Sequence, residues 1–254
     1  MKNILPYSIN TKKNRFIKVL SKKNTKLIPR EFIQNHGIHF DLVLRKLSFG
    51  ADYITDFFYM SKSSDDWHLV FVEIEKPQSR FFRDGSNDLH PDFQSALQQI
   101  GRWRAWLSNS ANFAAFLASL APMRRPINMT QNPSYPRFVL VHGRREEYGA
   151  NEQRRAIVHA EEREDFHILS FDSLAEGLTQ KHECYIGARH NETIEIFGDE
   201  LVSPEMYMSI EPSQFLVSSA LQEAIRQGPT FIYRRVNGST VQALSWVADH
   251  IRVK

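Results

Sequence analysis

The stretch Trp67-His-Leu-Val-Phe-Val-Glu-Ile-Glu-Lys76 decides the fold class. Its aromatic and β-branched residues predict a strand, which Pro77 closes because proline cannot donate to a sheet ladder. Successive side chains of a strand point to opposite faces. One face carries Val70, Val72 and Ile74, and the other carries Leu69, Phe71, Glu73 and Glu75. Two carboxylates therefore end an otherwise apolar strand face.

A second strand is predicted immediately upstream, over Tyr53 to Met60, where aromatic residues again dominate. The polar run from Ser61 to Asp66 between the two strands is typical of a turn. The two strands should therefore pair antiparallel as a hairpin, which would bring Asp56 to the end of the strand that carries Glu73. Further upstream, Pro29 followed by Arg-Glu-Phe-Ile-Gln predicts a short helix.

Downstream, the apolar spacing predicts helices and strands in alternation. A helix capped by Asp92 or a neighbour should run to about Leu107, with a further helix or a continuation of it from Asn112 to Leu120. Next come a buried strand (Arg137 to His142), a helix (Glu152 to about Glu162) and a strand (Phe166 to Phe171). After about Gly187 the pattern predicts a strand and then a helix from about Ser213 to Gln227. This order predicts an α/β (α+β) core with a mixed central sheet flanked by helices, plus a small C-terminal appendage.

Charge is segregated along the 254 residues, of which 42% are hydrophobic. The first 50 residues hold eleven lysines and arginines against two acids, a net charge of +9, so the remainder carries −6 of the total of +3. A basic arm on an acidic body is typical of a protein that meets a polyanion, although a lysine-rich tail can also serve solubility alone. The single cysteine, Cys184, indicates a reducing compartment, and we expect a soluble cytoplasmic protein without membrane contact.

The chemistry indicated by the residues is that of a metal site. Asp56, Glu73 and Glu75 converging at one point would repel one another unless a cation neutralised them. Oxygen ligands suit Mg²⁺ or Mn²⁺, which polarise phosphate and activate water in nucleases. The alternative is that Glu73 and Glu75 are ordinary surface groups at a strand end.

Other kinds of site find little support. No glycine-rich phosphate loop and no Gly-x-Ser-x-Gly motif occurs, so we expect no organic cofactor. The pair His36 and His39, and the group His182, Cys184 and His190, superficially resemble metal ligands. No paired cysteines accompany them, so their histidines are interpreted mainly as ordinary surface histidines.

A family resemblance adds to this interpretation. Tyr53-Ile-Thr-Asp56-Phe, Val72-Glu-Ile-Glu-Lys-Pro77, Gly85 and Ala96-Leu-Gln-Gln-Ile-Gly-Arg-Trp-Arg-Ala-Trp-Leu107 together resemble the nuclease domain of the Shedu antiphage-defence proteins. That domain belongs to the PD-(D/E)XK restriction-endonuclease-like superfamily. Further similar segments are Arg137 to Arg144 and Phe166 to Leu174 and, more weakly, Pro29 to Phe40. The resemblance covers about residues 29–180. We therefore expect a nuclease-like domain (29–186), with the basic arm (1–28) and a C-terminal accessory segment (187–254) outside the resemblance.

The resemblance also implies residue roles. Asp56 matches the isolated metal-binding aspartate, and Glu73 the first acid of the signature. Glu75 stands where the superfamily usually has lysine, so it would serve as a metal ligand or a water-orienting base. Gln99, with Gln98 as the competing choice, resembles a glutamine that touches the nucleophilic water or the phosphate.

The implied activity is Mg²⁺-dependent or Mn²⁺-dependent DNA cleavage in antiphage defence, by a homo-oligomer. The residues expected to contact nucleic acid are Lys12, Lys13, Arg15, Lys22, Lys23, Lys76 and Arg144. The alternative function is that of a catalytically inactive nucleic-acid-binding or sensor protein on a nuclease scaffold, which the glutamate at position 75 favours.

Overall fold

The computed structural model of the chain describes residues 25–51, 53–176, 178–228, 235–236, 239–240 and 244–254. Its strands are β1 (Ile38–Arg45), β2 (Ser48–Phe49), β3 (Tyr53–Ile54), β4 (Phe57–Lys62), β5 (Trp67–Ile74), β6 (Ser134–Val141), β7 (Phe166–Leu169), β8 (Tyr185–His190), β9 (Thr193–Phe197), β10 (Phe215–Val217), β11 (Arg235–Val236), β12 (Ser239–Thr240) and β13 (Arg252–Val253). Its α-helices are α1 (Pro91–Ser108), α2 (Ser110–Leu120), α3 (Glu152–Ala160), α4 (Phe171–Ala175), α5 (Glu205–Ser209), α6 (Ser219–Arg226) and α7 (Leu244–His250). Short 3-10 turns occupy Thr25–Leu27, Ile127–Met129, Arg145–Glu147, Leu178–Gln180 and Pro212–Gln214.

The predicted hairpin is confirmed and forms the centre of the molecule. Strands β4 and β5 pair antiparallel from Phe57 opposite Val72 to Lys62 opposite Trp67. They lie within a nine-stranded mixed sheet of order β13-β10-β9-β8-β1-β4-β5-β6-β7. Strands β6 and β7 extend this sheet parallel to β5, whereas β1 pairs antiparallel with β4 and parallel with β8. The mixed α/β architecture expected from the sequence is therefore present.

Two hydrophobic cores cover the two faces of the sheet, as the alternation in β5 predicts. Leu69 and Phe71 belong to the core that α1 and α2 cover, whereas Val70 and Val72 belong to the second core. Helix α1 turns Phe93, Ala96, Ile100, Trp103 and Leu107 toward the sheet. Its N-cap is His90, whose Nδ1 accepts a hydrogen bond from the Asp92 N–H, with Pro91 in the first helical position. Helix α1 thus lies across the sheet face on which Glu73 was predicted.

Several of the sequence-based elements differ from the structure. The helix predicted from Pro29 is wrong, because residues 29–37 form turns and the chain then enters β1. The strand predicted over Tyr53 to Met60 is divided into β3 and β4, with Thr55 and Asp56 between them. The helix predicted from Ser213 begins only at Ser219, because Phe215–Val217 pairs as β10 with β9 and β13.

The sheet is continuous across the boundary expected at residues 186 and 187, which lies inside β8. Strands β9, β10 and β13, all from the expected accessory segment, extend the sheet that β4 and β5 begin. The greater part of the arm expected at residues 1–28 lies outside the described residues, but Ile28 is fully buried in the second core.

A close backbone contact fixes the loop that follows β5. Gly143, just after β6, has φ of 49°, and a Cβ atom there would lie 2.5 Å from the carbonyl oxygen of Ser79. Only glycine allows both the left-handed conformation and this approach. The loop carrying Ser79 is thereby held against the end of β6.

We predict that Gly143→Ala lowers the free energy of unfolding strongly, because it adds a steric clash to backbone strain. Gly37→Ala is the matched control, since Gly37 has φ of 70° but nothing within 4 Å of the added methyl group. Both variants should lose about 1–2 kcal/mol from the left-handed conformation, and Gly143→Ala about 1–3 kcal/mol more from overpacking. Urea unfolding of both variants measures the difference, and equal losses would contradict the contact.

Candidate active site

The two predicted acids Asp56 and Glu73 lie at the same end of the sheet. Asp56 immediately precedes β4, and Glu73 is next to the last residue of β5. Because β4 and β5 run antiparallel, the beginning of one lies beside the end of the other. The hairpin thus brings together residues that are 17 positions apart.

Hydrogen bonds place Asp56 directly beside Glu73. The Asp56 N–H donates to the carbonyl of Val72 at 3.1 Å. The Asp56 carboxylate oxygen Oδ2 accepts from the N–H of Ile74 at 2.9 Å. Asp56 therefore contacts the residue before Glu73 through its backbone and the residue after Glu73 through its side chain.

Both carboxylates are withdrawn from solvent. Asp56 is 1% exposed and Glu73 is 3% exposed, so neither is an ordinary surface group. Buried carboxylates require compensating partners, because removal of a charge from water is unfavourable. The interpretation of Glu73 as a solvated strand end is therefore wrong, whereas Glu75, one residue beyond β5, is only half-buried.

A lysine that the sequence analysis did not single out contacts the site. Lys46 follows β1 directly, and its Nζ forms an ion pair with Asp56 Oδ1. Its N–H also donates to the backbone carbonyl of Asp56 at 3.0 Å. Since β1 and β4 are antiparallel neighbours, the end of β1 meets the beginning of β4. Only the pairing of β1, an unpredicted strand, could have indicated this contact.

A second residue at this end of the sheet is His142, which follows β6. Its ring is fully buried, lies 4.8 Å from the Phe81 ring and 5.1 Å from the Phe93 ring by centroids, and approaches the Arg80 carbonyl with Nε2 at 3.1 Å. Burial lowers the pKa of His142, and the nearby charge of Glu75 opposes this effect. The buried His142 ring therefore lies between the end of β6 and the loop that carries Arg80 and Phe81.

The remaining predicted site residues lie on the elements next to the pair. Gln99 is half-buried on α1, one turn before the buried Trp103, and Gln98 is exposed. No group of three or more histidine, cysteine, aspartate or glutamate side chains that could hold a metal ion occurs within the part of the chain that the structure describes. Asp56 and Glu73 thus form a pair, and Glu75 does not complete a three-carboxylate cluster in this structure.

The residues predicted to contact nucleic acid are only partly described. Arg144 is half-exposed, and its Nε and Nη2 atoms contact the Asp172 carboxylate at 2.9 and 2.7 Å. This contact lowers the pKa of Asp172. Lys76 is half-buried, two residues beyond β5. The arm residues lie outside the described residues, and they are Lys12, Lys13, Arg15, Lys22 and Lys23.

The chain belongs to a known protein family. The fold and the buried carboxylate pair define an α/β protein with an acidic site at one end of its sheet. The sequence matches the family described as Shedu protein SduA, C-terminal, over residues 11–175, and the chain is a member of that family. The matched residues include Lys46, Asp56, Glu73 and His142. No curated protein sequence matches the chain. None of the described helices is long and apolar enough to cross a bilayer.

The histidines at the opposite end of β1 form a different environment. A cavity of about 840 Å³ there is lined by residues that include His36, His39, Asp41 and Lys62. The interpretation of His39 as a surface residue is wrong, because it is 7% exposed and its Nε2 lies 3.1 Å from the Met123 carbonyl. Burial, aided by the charge of Lys62, lowers the pKa of His39 to about 3.

We predict that His39 makes the protein less stable as the pH falls below about 6.5, the usual histidine pKa. The folded protein binds a proton at His39 only near pH 3, whereas the unfolded chain binds it near 6.5, so acid favours unfolding. In the wild type, protonation of His39 should lower the free energy of unfolding by up to about 1.4 kcal/mol for each pH unit of acidification. His39→Gln should remove this part of the pH dependence. Urea unfolding between pH 4.5 and 7.5 measures it. The control is His190→Gln at an exposed position, and equal slopes in both variants would contradict the role of His39.

Proposed function

We propose that the chain is a divalent-metal-dependent DNA endonuclease of the restriction-endonuclease-like superfamily, acting in antiphage defence. The observation that carries the proposal is the buried pair Asp56 and Glu73 at the common end of β4 and β5. Membership of the Shedu SduA family and the basic first 50 residues support it. A buried acidic pair contributes little to packing, so a catalytic role accounts for its presence better than a structural one.

The residues fit a small divalent cation in chemistry. The donors of Asp56 and Glu73 are carboxylate oxygens, which Mg²⁺ prefers, and protein Mg²⁺ sites commonly use one or two carboxylates with water and phosphate completing the shell. Asp56 and Glu73 would hold the ion. A bound Mg²⁺ or Mn²⁺ would polarise the scissile phosphate and activate water.

The other predicted residues would act on the attacking water and on the DNA phosphates. The Glu75 carboxylate, half-buried just beyond β5, would orient the attacking water and accept its proton. The Gln99 amide, on the helix that covers the same sheet face, would position that water or the phosphate. Lys76 and Arg144 follow β5 and β6 at this end of the sheet and would contact neighbouring phosphates. A homo-oligomer would allow two such sites to cut two DNA strands.

A second candidate function is nucleic-acid binding without turnover. The Lys46–Asp56 ion pair favours it, because the ammonium group occupies an oxygen that a metal ion would need. The two functions differ in a simple observation. A non-catalytic protein binds DNA without divalent cations and does not cleave it when they are added.

We predict that Asp56→Asn and Glu73→Gln each reduce DNA cleavage at least about a hundredfold. The side-chain amide oxygen that Asp56→Asn introduces can still accept the Ile74 N–H, so the fold should persist. The measurement is cleavage of duplex and single-stranded DNA with Mg²⁺, Mn²⁺ or chelator. Circular dichroism checks the fold, and Glu223→Gln at an exposed ion pair on α6 is the control. Undiminished cleavage by both acid variants, with unchanged metal dependence, would refute this site.

We predict that removal of residues 1–24, which hold seven lysines and arginines, weakens DNA binding and reduces its salt dependence. Each phosphate neutralised on duplex DNA contributes about −0.9 to the slope of log K against log salt. The deletion ends before Thr25, whose hydroxyl contacts Glu183, and before the buried Ile28. Binding titrations from low to moderate salt, with oligomeric state measured in parallel, compare the two proteins. An identical slope in proteins of identical oligomeric state would show that the arm does not contact DNA.

A further inference from the structure

We propose that Lys46 is a phosphate-binding residue of the site, held on Asp56 in the metal-free protein and released to a DNA phosphate when a divalent cation takes its place. This inference rests on the proposed metal-dependent nuclease function. Lys46 would supply the positive charge that the superfamily usually has at the position of Glu75. The ion pair with Asp56 would then be one of two positions that the Lys46 side chain occupies.

The backbone fixes where Lys46 can act. Its N–H donates to the Asp56 carbonyl at 3.0 Å, and the Thr55 N–H donates to the Leu47 carbonyl at 3.1 Å. These bonds close the base of the β2–β3 hairpin. Lys46 itself has φ of 50°, a left-handed conformation that is uncommon for a residue with a side chain. The strand neighbour Arg45 instead places its guanidinium 3.9 Å from the centre of the Phe197 ring.

The Lys46 side chain has room to leave Asp56. It is 42% exposed, whereas the Asp56 side chain is 2% exposed. Because the lysine end of the pair is partly exposed, the ammonium group can move into water at little cost to itself, whereas the buried Asp56 carboxylate then requires another cation to compensate its charge. The ammonium group can therefore leave Asp56 when a divalent cation takes over that compensation.

The Asp56 carboxylate does not need the lysine to hold its orientation. Its Oδ2 atom accepts the Ile74 N–H at 2.9 Å, and this bond leaves Oδ1 as the atom that Lys46 contacts. A divalent cation that displaces the ammonium group would therefore meet an oxygen that is already positioned. The Coulomb attraction of Asp56 and Glu73 for a double charge exceeds that for a single charge at the same distance.

Three arginines near this end of the sheet contact carboxylates other than Asp56 and Glu73. Arg80 contacts Asp84, Arg144 contacts Asp172, and Arg145 contacts Glu176. Lys46, by contrast, contacts an acid of the site itself. On displacement it would carry a positive charge immediately beside the position of a bound phosphate.

The test compares wild type with Lys46→Met and Lys46→Arg. The matched control is Lys254→Met, because Lys254 also forms a lysine–carboxylate pair, with Glu195 on β9, and lies at the far side of the sheet. Calorimetry with Mn²⁺ alone measures occupancy of the carboxylates. Titration of a labelled DNA duplex, with Ca²⁺ or with chelator, measures phosphate contact independently of cleavage.

We expect Lys46→Met to bind Mn²⁺ at least about threefold more tightly, because the competing ammonium group is gone. The same variant should bind DNA more weakly than wild type in Ca²⁺, with a salt slope shallower by about 0.9, and equally in chelator. Lys46→Arg should retain the Ca²⁺-dependent affinity, and Lys254→Met should match wild type throughout.

Three results would overturn the inference: unchanged Mn²⁺ affinity in Lys46→Met, an equal loss of DNA affinity in Ca²⁺ and in chelator, or faster DNA cleavage than wild type. The last result would identify Lys46 as a block on the site. Failure of wild type to cleave DNA in Mg²⁺ or Mn²⁺ would instead refute the proposed function, and the two binding measurements would still decide the role of Lys46.

Discussion

The burial of the Asp56 carboxylate beside Glu73 is the constraint on which the rest of the site depends. Two negative charges near each other in a poorly solvated position destabilise a fold unless they are compensated. The Ile74 N–H and the Lys46 ammonium group compensate one charge, each at a different oxygen of Asp56. The fold supplies both groups from strands adjacent to the aspartate, because β1, β4 and β5 are consecutive in the sheet.

The surrounding structure keeps this end of the sheet in place. The base of the β2–β3 hairpin lies beside the contact between Lys46 and Asp56. Its turn residue Gly50 packs against the Trp106 ring of α1, and a Cβ atom at Gly50 would lie 2.9 Å from that ring. On the other side, Gly143 brings the loop after β5 against β6. Helix α1 thus packs against both the hairpin and the sheet face that carries Glu73.

The sequence allowed the central hairpin and its acids to be predicted because their pattern is local. Alternation in β5 identified the face of Glu73, and the polar turn after residue 60 required β5 to pair antiparallel with the preceding strand, which places Asp56 beside Glu73. The prediction failed where partners are distant in sequence. Strand β1 was missed because Pro29 suggested a helix and because Phe40 and Asp41, both with positive φ, interrupt the strand pattern. Without β1, nothing indicated that Lys46 meets Asp56.

The same reasoning explains why the end of the domain was not apparent. Strands β10 and β13 are only three and two residues long, too short for period-two alternation to distinguish them from loops. Strand β13 pairs with β10 and β10 with β9, and β9 pairs with β8, which itself pairs with β1. Thus β1 joins two halves of the sheet: on one side it brings Lys46 to the acids, and on the other it supports the C-terminal strands. A single strand that local sequence does not reveal therefore determines both the electrostatic state of the carboxylate pair and the continuity of the sheet.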